Sequence, residues 1–180
     1  MIVFADSSAL VTRYAPHEDD VLPLDIGIAV SALARVEVVS ALWRQSSGGE
    51  IGVVEAGALV REFGSDWDGT RTESRRFQPV AATRSLLERA AALTGTHGLR
   101  SLDAIQLASA LAARDAEPEC RTMVVLDELL RRAAAAERFD LLPLGCRHEA
   151  CRIIHCPRHR PRDDVLEHRS GVHAHRPVVA

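Results

Sequence analysis

Two short apolar runs each end in an aspartate: Ile2-Val3-Phe4-Ala5 leads into Asp6, and Met123-Val124-Val125-Leu126 leads into Asp127. Runs this short and this apolar read as buried strands, so each aspartate is expected at the rim of a sheet. Glu37 and Asp103 interrupt the apolar faces of two helical stretches, Leu33-Ala34-Arg35-Val36-Glu37-Val38-Val39-Ser40-Ala41-Leu42 and Leu102-Asp103-Ala104-Ile105-Gln106-Leu107-Ala108-Ser109-Ala110-Leu111. A buried carboxylate is costly unless it is paired or binds a metal. If the four acids converge, their mutual repulsion demands a cation. Oxygen-only ligands select a hard one, Mg²⁺ with Mn²⁺ as the variant.

The stretch between these acids alternates strand and helix signals. A helix is expected from Ser7 or Ser8, with Ser as N-cap, to about Tyr14, where Pro16 ends it. Glu18-Asp19-Asp20 opens a turn or short second helix, and Gly27–Val30 reads as a short strand. Ser31 caps the helix carrying Glu37, which stops near Ser46-Ser47-Gly48-Gly49. A helical stretch from Gly52 to Trp67 ends at the Asp68-Gly69 turn. Arg76–Val80 is a strand weakened by Pro79. Helices over Ala82–Thr94 and Leu102–Arg114 flank a Gly95-Thr96-His97-Gly98 breaker; strand Met123–Leu126, helix Glu128–Ala136 and strand Phe139–Leu144 complete the pattern. Such alternation predicts an α/β sandwich with a mostly parallel central sheet flanked by helices. Ligands of such sheets lie beyond the carboxyl ends of the strands, where Asp6 and Asp127 fall.

The 180 residues suffice for one domain with its own core, and an apolar content of 47% excludes a disordered chain. No apolar run approaches the roughly 18–20 residues that span a membrane. No basic region precedes the first apolar stretch, so no secretory signal is read and a cytoplasmic location is expected. Every one of the 22 basic residues is arginine, which reads mainly as codon bias. The net charge of -3 conceals two regions: residues 1–145 carry 15 arginines against 21 acids, whereas 146–180 carry 7 against 4. The body is no general polyanion binder, and any action on nucleic acid needs a metal and local arginines to supply positive field. The domain is therefore placed at 1–145, followed by an Arg/His/Cys-rich tail at 146–180 that is expected to be disordered. The tail's Cys146, His148, Cys151, His155, Cys156 and His159 offer soft ligands, but without a paired C-x₂-C and H-x₃₋₅-H arrangement they read as incidental rather than as a zinc site.

Each acid also has a plainer reading. Asp6 and Asp127 could be helix N-caps, Asp103 could cap the helix that begins near Ser101, and Glu37 could be a surface acid beside Arg35 or Arg44. All four being so is less probable than any one. Other chemistries lack their residues. The chain has no Gly-rich phosphate loop; His17 and His97, the body's two histidines, have no nucleophile beside them; and a phosphoacceptor site of the receiver type wants a lysine, of which there is none.

On these residues the chain resembles a PIN-domain ribonuclease, specifically a VapC-type toxin of a toxin–antitoxin pair. The likeness runs through Ile2-Val3-Phe4-Ala5-Asp6-Ser7-Ser8-Ala9-Leu10-Val11, the helix with Glu37, the block Gly98-Leu99-Arg100-Ser101-Leu102-Asp103-Ala104-Ile105-Gln106-Leu107-Ala108, and Val124-Val125-Leu126-Asp127-Glu128-Leu129-Leu130-Arg131-Arg132-Ala133-Ala134. It spans about Met1–Leu144. The chain departs from the pattern at Thr12, where a basic residue is common, and at Gln106, where a histidine is common.

The resemblance implies a PIN-like fold and an endoribonuclease in which Asp6, Glu37, Asp103 and Asp127 gather around Mg²⁺ or Mn²⁺. Ser7 or Ser8 would hydrogen-bond a ligand carboxylate or the phosphate, and Arg13 and Arg100 would contact backbone phosphates. It further implies an RNA substrate, a VapB-like antitoxin and a homodimer. The Trp43-to-Trp67 region, with Val53, Val54, Leu59, Val60 and Phe63, is the expected docking surface, against a plainer reading as ordinary helix packing. The alternative from another class is a catalytically inactive module that binds RNA or protein.

Overall fold

A computed structural model describes residues 2–15, 21–22 and 26–143. The tail at 146–180, with its candidate zinc ligands, and the turn expected at Glu18-Asp19-Asp20 lie outside the described residues. Five strands and six helices alternate: β1 (Ile2–Ala5), α1 (Ser7–Tyr14), β2 (Gly27–Ser31), α2 (Ala34–Ser47), α3 (Val53–Asp68), β3 (Phe77–Val80), α4 (Arg84–His97), α5 (Ser101–Ala116), β4 (Thr122–Val124), α6 (Glu128–Ala136) and β5 (Asp140–Leu142).

The strands form one sheet in the order β3-β2-β1-β4-β5, and every pairing is parallel rather than most of them. β1 is central because it is apolar on both faces. Phe4 points to one side with Ala29, Met123 and Val125, and Val3 and Ala5 point to the other with Ile28, Val30 and Val124. The first set packs under α4, α5 and α6, and the second under α1, α2 and α3, giving the three layers of an α/β/α sandwich. β3 is an edge strand. That position tolerates Pro79, whose missing N–H would break the ladder of a strand paired on both sides. Around Phe63, at the centre of the second layer, Tyr14, Trp67 and Phe77 pack with ring centroids 5.4, 5.5 and 6.1 Å away. These rings and the buried Phe4 are core. Among the described residues no helix is long and apolar enough to cross a membrane.

Several helix starts differ from those read in the sequence. Asp6, not a serine, is the N-cap of α1, accepting the Ser8 backbone N–H. Ser31 ends β2, and α2 begins at Ala34 after a turn in which the Leu33 backbone N–H donates to the Ser31 hydroxyl. Thr83 caps α4 through the Leu86 N–H, displacing its start from Ala82. β4 closes at Val124, so Val125 and Leu126 form the loop into Asp127, and β5 is confined to Asp140–Leu142.

Candidate active site

The sheet order reverses between β1 and β4: the chain leaves β1 toward β2 on one side, and leaves β4 toward β5 on the other. Loops diverging from neighbouring strands open a crevice at their carboxyl ends, the place where such sheets bind ligands. Asp6 follows β1 and Asp127 follows β4, one on each side of that crevice. Both serve as N-caps, Asp6 of α1 and Asp127 of α6, the latter accepting the Leu130 N–H at 2.9 Å. Glu37 and Asp103 occupy the first turns of α2 and α5. All four acids therefore sit at helix N-termini, whose positive dipole ends partly offset the negative charge. For Asp6 and Asp127, capping and membership of the cluster are compatible roles of one side chain.

The four carboxyls lie near enough for their charges to act on one another. Burial is the largest cause holding the Asp6 carboxyl above its ordinary range; hydrogen bonds from Ser8 and Ser7 oppose it, and the Asp127 charge adds to it. Glu37 is pushed up to about 7, first by burial and then by the Asp6 charge, with a smaller push from Asp103. Asp103 is pushed up to about 6 by burial, then by Asp127 and Asp6, while the Arg100 charge and backbone N–H pull the other way. The sequence pairing of Glu37 with Arg35 or Arg44 is not found: Arg35 bonds Asp68 and lies over the rings of Phe63 and Trp67, and Arg44 bonds Ser40.

Short polar side chains stitch the acids to the fold. The Ser8 hydroxyl donates to Asp6 Oδ2 and accepts the Leu126 backbone N–H at 3.4 Å, tying the β1 end to the β4 end. The Ser7 hydroxyl donates to Asp6 Oδ1 at 3.4 Å. Gln106, 2% exposed, donates through Nε2 to Glu37 Oε2 at 2.6 Å and to Ser7 Oγ at 3.2 Å. Gln106 was marked in the sequence only as a departure from the resembled pattern and as an amide among the apolar residues of α5, one turn beyond Asp103.

The two arginines part company. Arg100 is the N-cap residue of α5 and its charge acts on Asp103, so it stands at the crevice. Arg13 lies in the last turn of α1, about 10 Å along the helix axis from Asp6. There its Nε lies 3.6 Å from Asp66, which also holds Arg76 and the Tyr14 hydroxyl, so this contact ties α1 to α3. In the expected docking stretch, Phe63 is core and Leu59 and Val60 pack against it, whereas Val53, Val54 and Trp43 are exposed.

The donor set fits a hard cation: carboxylate and hydroxyl oxygens, with three acids held above their ordinary range. Among the described residues no three His, Cys, Asp or Glu side chains are grouped so as to hold a metal ion. Cys120, the one cysteine among the described residues, is buried with its thiol pushed up to about 11, and is no nucleophile at neutral pH. No protein-family model matches the chain, and no curated protein matches it.

Proposed function

We propose that the protein is a Mg²⁺- or Mn²⁺-dependent endoribonuclease of the PIN-domain type, a VapC-like toxin that acts on RNA in the cytoplasm. The observation that carries this reading is the convergence of Asp6, Glu37, Asp103 and Asp127, drawn from distant parts of the chain, on the crevice between β1 and β4. An acidic pocket of this kind suits phosphodiester hydrolysis once a divalent cation makes it electropositive. When bound, the cation supplies charge at the attacked phosphate and makes a water more acidic. Asp6 and Asp103 are the nearest candidates to hold it. Glu37 and Asp127 would position the attacking water, and Ser7 and Ser8 keep Asp6 in place. Arg100, at the mouth, contacts the RNA backbone. The net negative body gives RNA no general purchase, so recognition rests on the fit of a particular RNA shape to this crevice. A VapB-like antitoxin would cover the exposed Val53, Val54 and Trp43 surface, and two copies would pair as a homodimer.

The test is cleavage of total cellular RNA by purified protein across a Mg²⁺ and Mn²⁺ titration, beside Asp103→Asn. Discrete metal-dependent cuts that fall at least about 100-fold in the variant are expected. Absence of cutting by folded wild-type protein free of any partner would turn the assignment to an inactive binding module.

A further inference from the structure

Gln106 is costly where it stands. Its side chain is enclosed in the core between α5 and the end of β1, and its Oε1 is buried without a hydrogen-bond partner. A leucine there would remove that orphaned acceptor on the side of α5 that Gln106 shares with the buried Ala110 and Ala113. Packing does not explain the amide; its two donors do. Nε2 donates to Glu37 Oε2 and to Ser7 Oγ, and the Ser7 hydroxyl in turn reaches Asp6 Oδ1 at 3.4 Å and hydrogen-bonds Glu37. The orientation is set by chemistry, since the opposite flip would aim the carbonyl oxygen at a carboxylate. One amide thus joins two acids, borne on α2 and at the end of β1, into a single hydrogen-bonded unit.

We propose that Gln106 is the positioning residue of the acidic crevice: its amide fixes Glu37 relative to Asp6 through Ser7, and so sets the spacing at which the pair receives a divalent cation. This rests on the cation reading above, but the hydrogen-bonded unit exists without the cation and can be tested without it. Residues that orient ligands from behind commonly change metal affinity by about 10–100-fold when lost.

The experiment compares wild type, Gln106→Leu and Gln106→His, with Mn²⁺ alone as the probe, following bound Mn²⁺ by electron paramagnetic resonance and folding by thermal denaturation. Gln106→Leu is expected to stay folded and weaken Mn²⁺ binding about tenfold. Gln106→His, whose Nε2–H can reach Glu37, is expected to restore affinity to within about threefold, which mere filling of space would not do. Wild-type Mn²⁺ affinity in a folded Gln106→Leu overturns the proposal. The side-chain amide signals of Gln106 in ¹H–¹⁵N spectra of the metal-free protein give the second readout. They should exchange slowly with water and shift on Glu37→Ala and on Ser7→Ala; fast exchange, or signals indifferent to both changes, overturns the proposal. If wild type binds no Mn²⁺, the cation reading fails and these signals alone decide the bridge. They decide it equally if Gln106→Leu does not fold.

Discussion

At the scale of single residues, the crevice stores repulsion. Glu37, pushed up to about 7, and Asp103, pushed up to about 6, both keep protons in the folded chain at pH values where the unfolded chain has released them. Protonation therefore favours folding. Stability falls as pH rises from the ordinary carboxylate range through these values, and the penalty is complete above about pH 7. Metal-free protein should melt higher near pH 5 than near pH 8. The part due to these groups is the difference from Glu37→Gln/Asp103→Asn, in which the pH dependence should flatten; an identical dependence in that variant would contradict the assignment. Asp6→Asn should abolish cleavage yet raise metal-free stability by about 1 kcal/mol, because asparagine caps a helix as well as aspartate without the buried charge. Thermal denaturation beside the RNA assay checks both. The four acids were legible because each stands where the pattern of its neighbours leaves a carboxylate unexplained. Gln106 was not, since a polar residue in an apolar face shows that something is paid without naming its partner. The contact of Arg13 with Asp66 was not legible for a related reason: Asp66 is far along the chain.

At the scale of elements, the strands could be read because parallel strands covered on both sides must be apolar throughout, as β1 and β4 are. Helix starts could not be read to the residue. Ser31 and Ser7 have the chemistry of caps, yet the chain spends Ser31 at the end of β2 and gives the cap of α1 to Asp6. What holds the β4 end of the crevice is Arg131 of α6, one turn beyond Asp127. Its guanidinium donates to the carbonyls of Val125, Leu142 and Pro143 at 2.7, 3.1 and 3.1 Å, clamping the ends of β4 and β5 together. Arg131→Met keeps the aliphatic stem and removes the fork. It should cost about 2–3 kcal/mol in chemical denaturation, since three carbonyls lose a charged donor. On the other face, Phe63→Ala should cost about 3–5 kcal/mol by emptying the centre of the aromatic cluster that seats α3. A loss under 1 kcal/mol in either case would mean that the element is held by other contacts.

At the scale of the molecule, the layers, the parallel sheet and the reversal between β1 and β4 follow from the alternation of strand and helix. The sequence could not show how the acids are placed relative to one another, because that depends on loops and helix ends far apart in the chain. If the crevice receives a divalent cation, loading stabilises the whole fold by mass action. Mg²⁺ or Mn²⁺ at about 100 times its dissociation constant should add roughly 2.7 kcal/mol, whereas a matched ionic strength of NaCl should not. An equal shift with NaCl would assign the effect to screening. The sheet order also has a consequence for synthesis. β1 is the first strand made, yet its second neighbour, β4, is the fourth. A growing chain can assemble β1, β2 and β3 with three of the acids, while one flank of β1 stays open and Asp127 has yet to be added. The acidic set closes only when β4 slots in beside β1, so a chain halted on the ribosome before that point lacks Asp127 and one wall of the crevice.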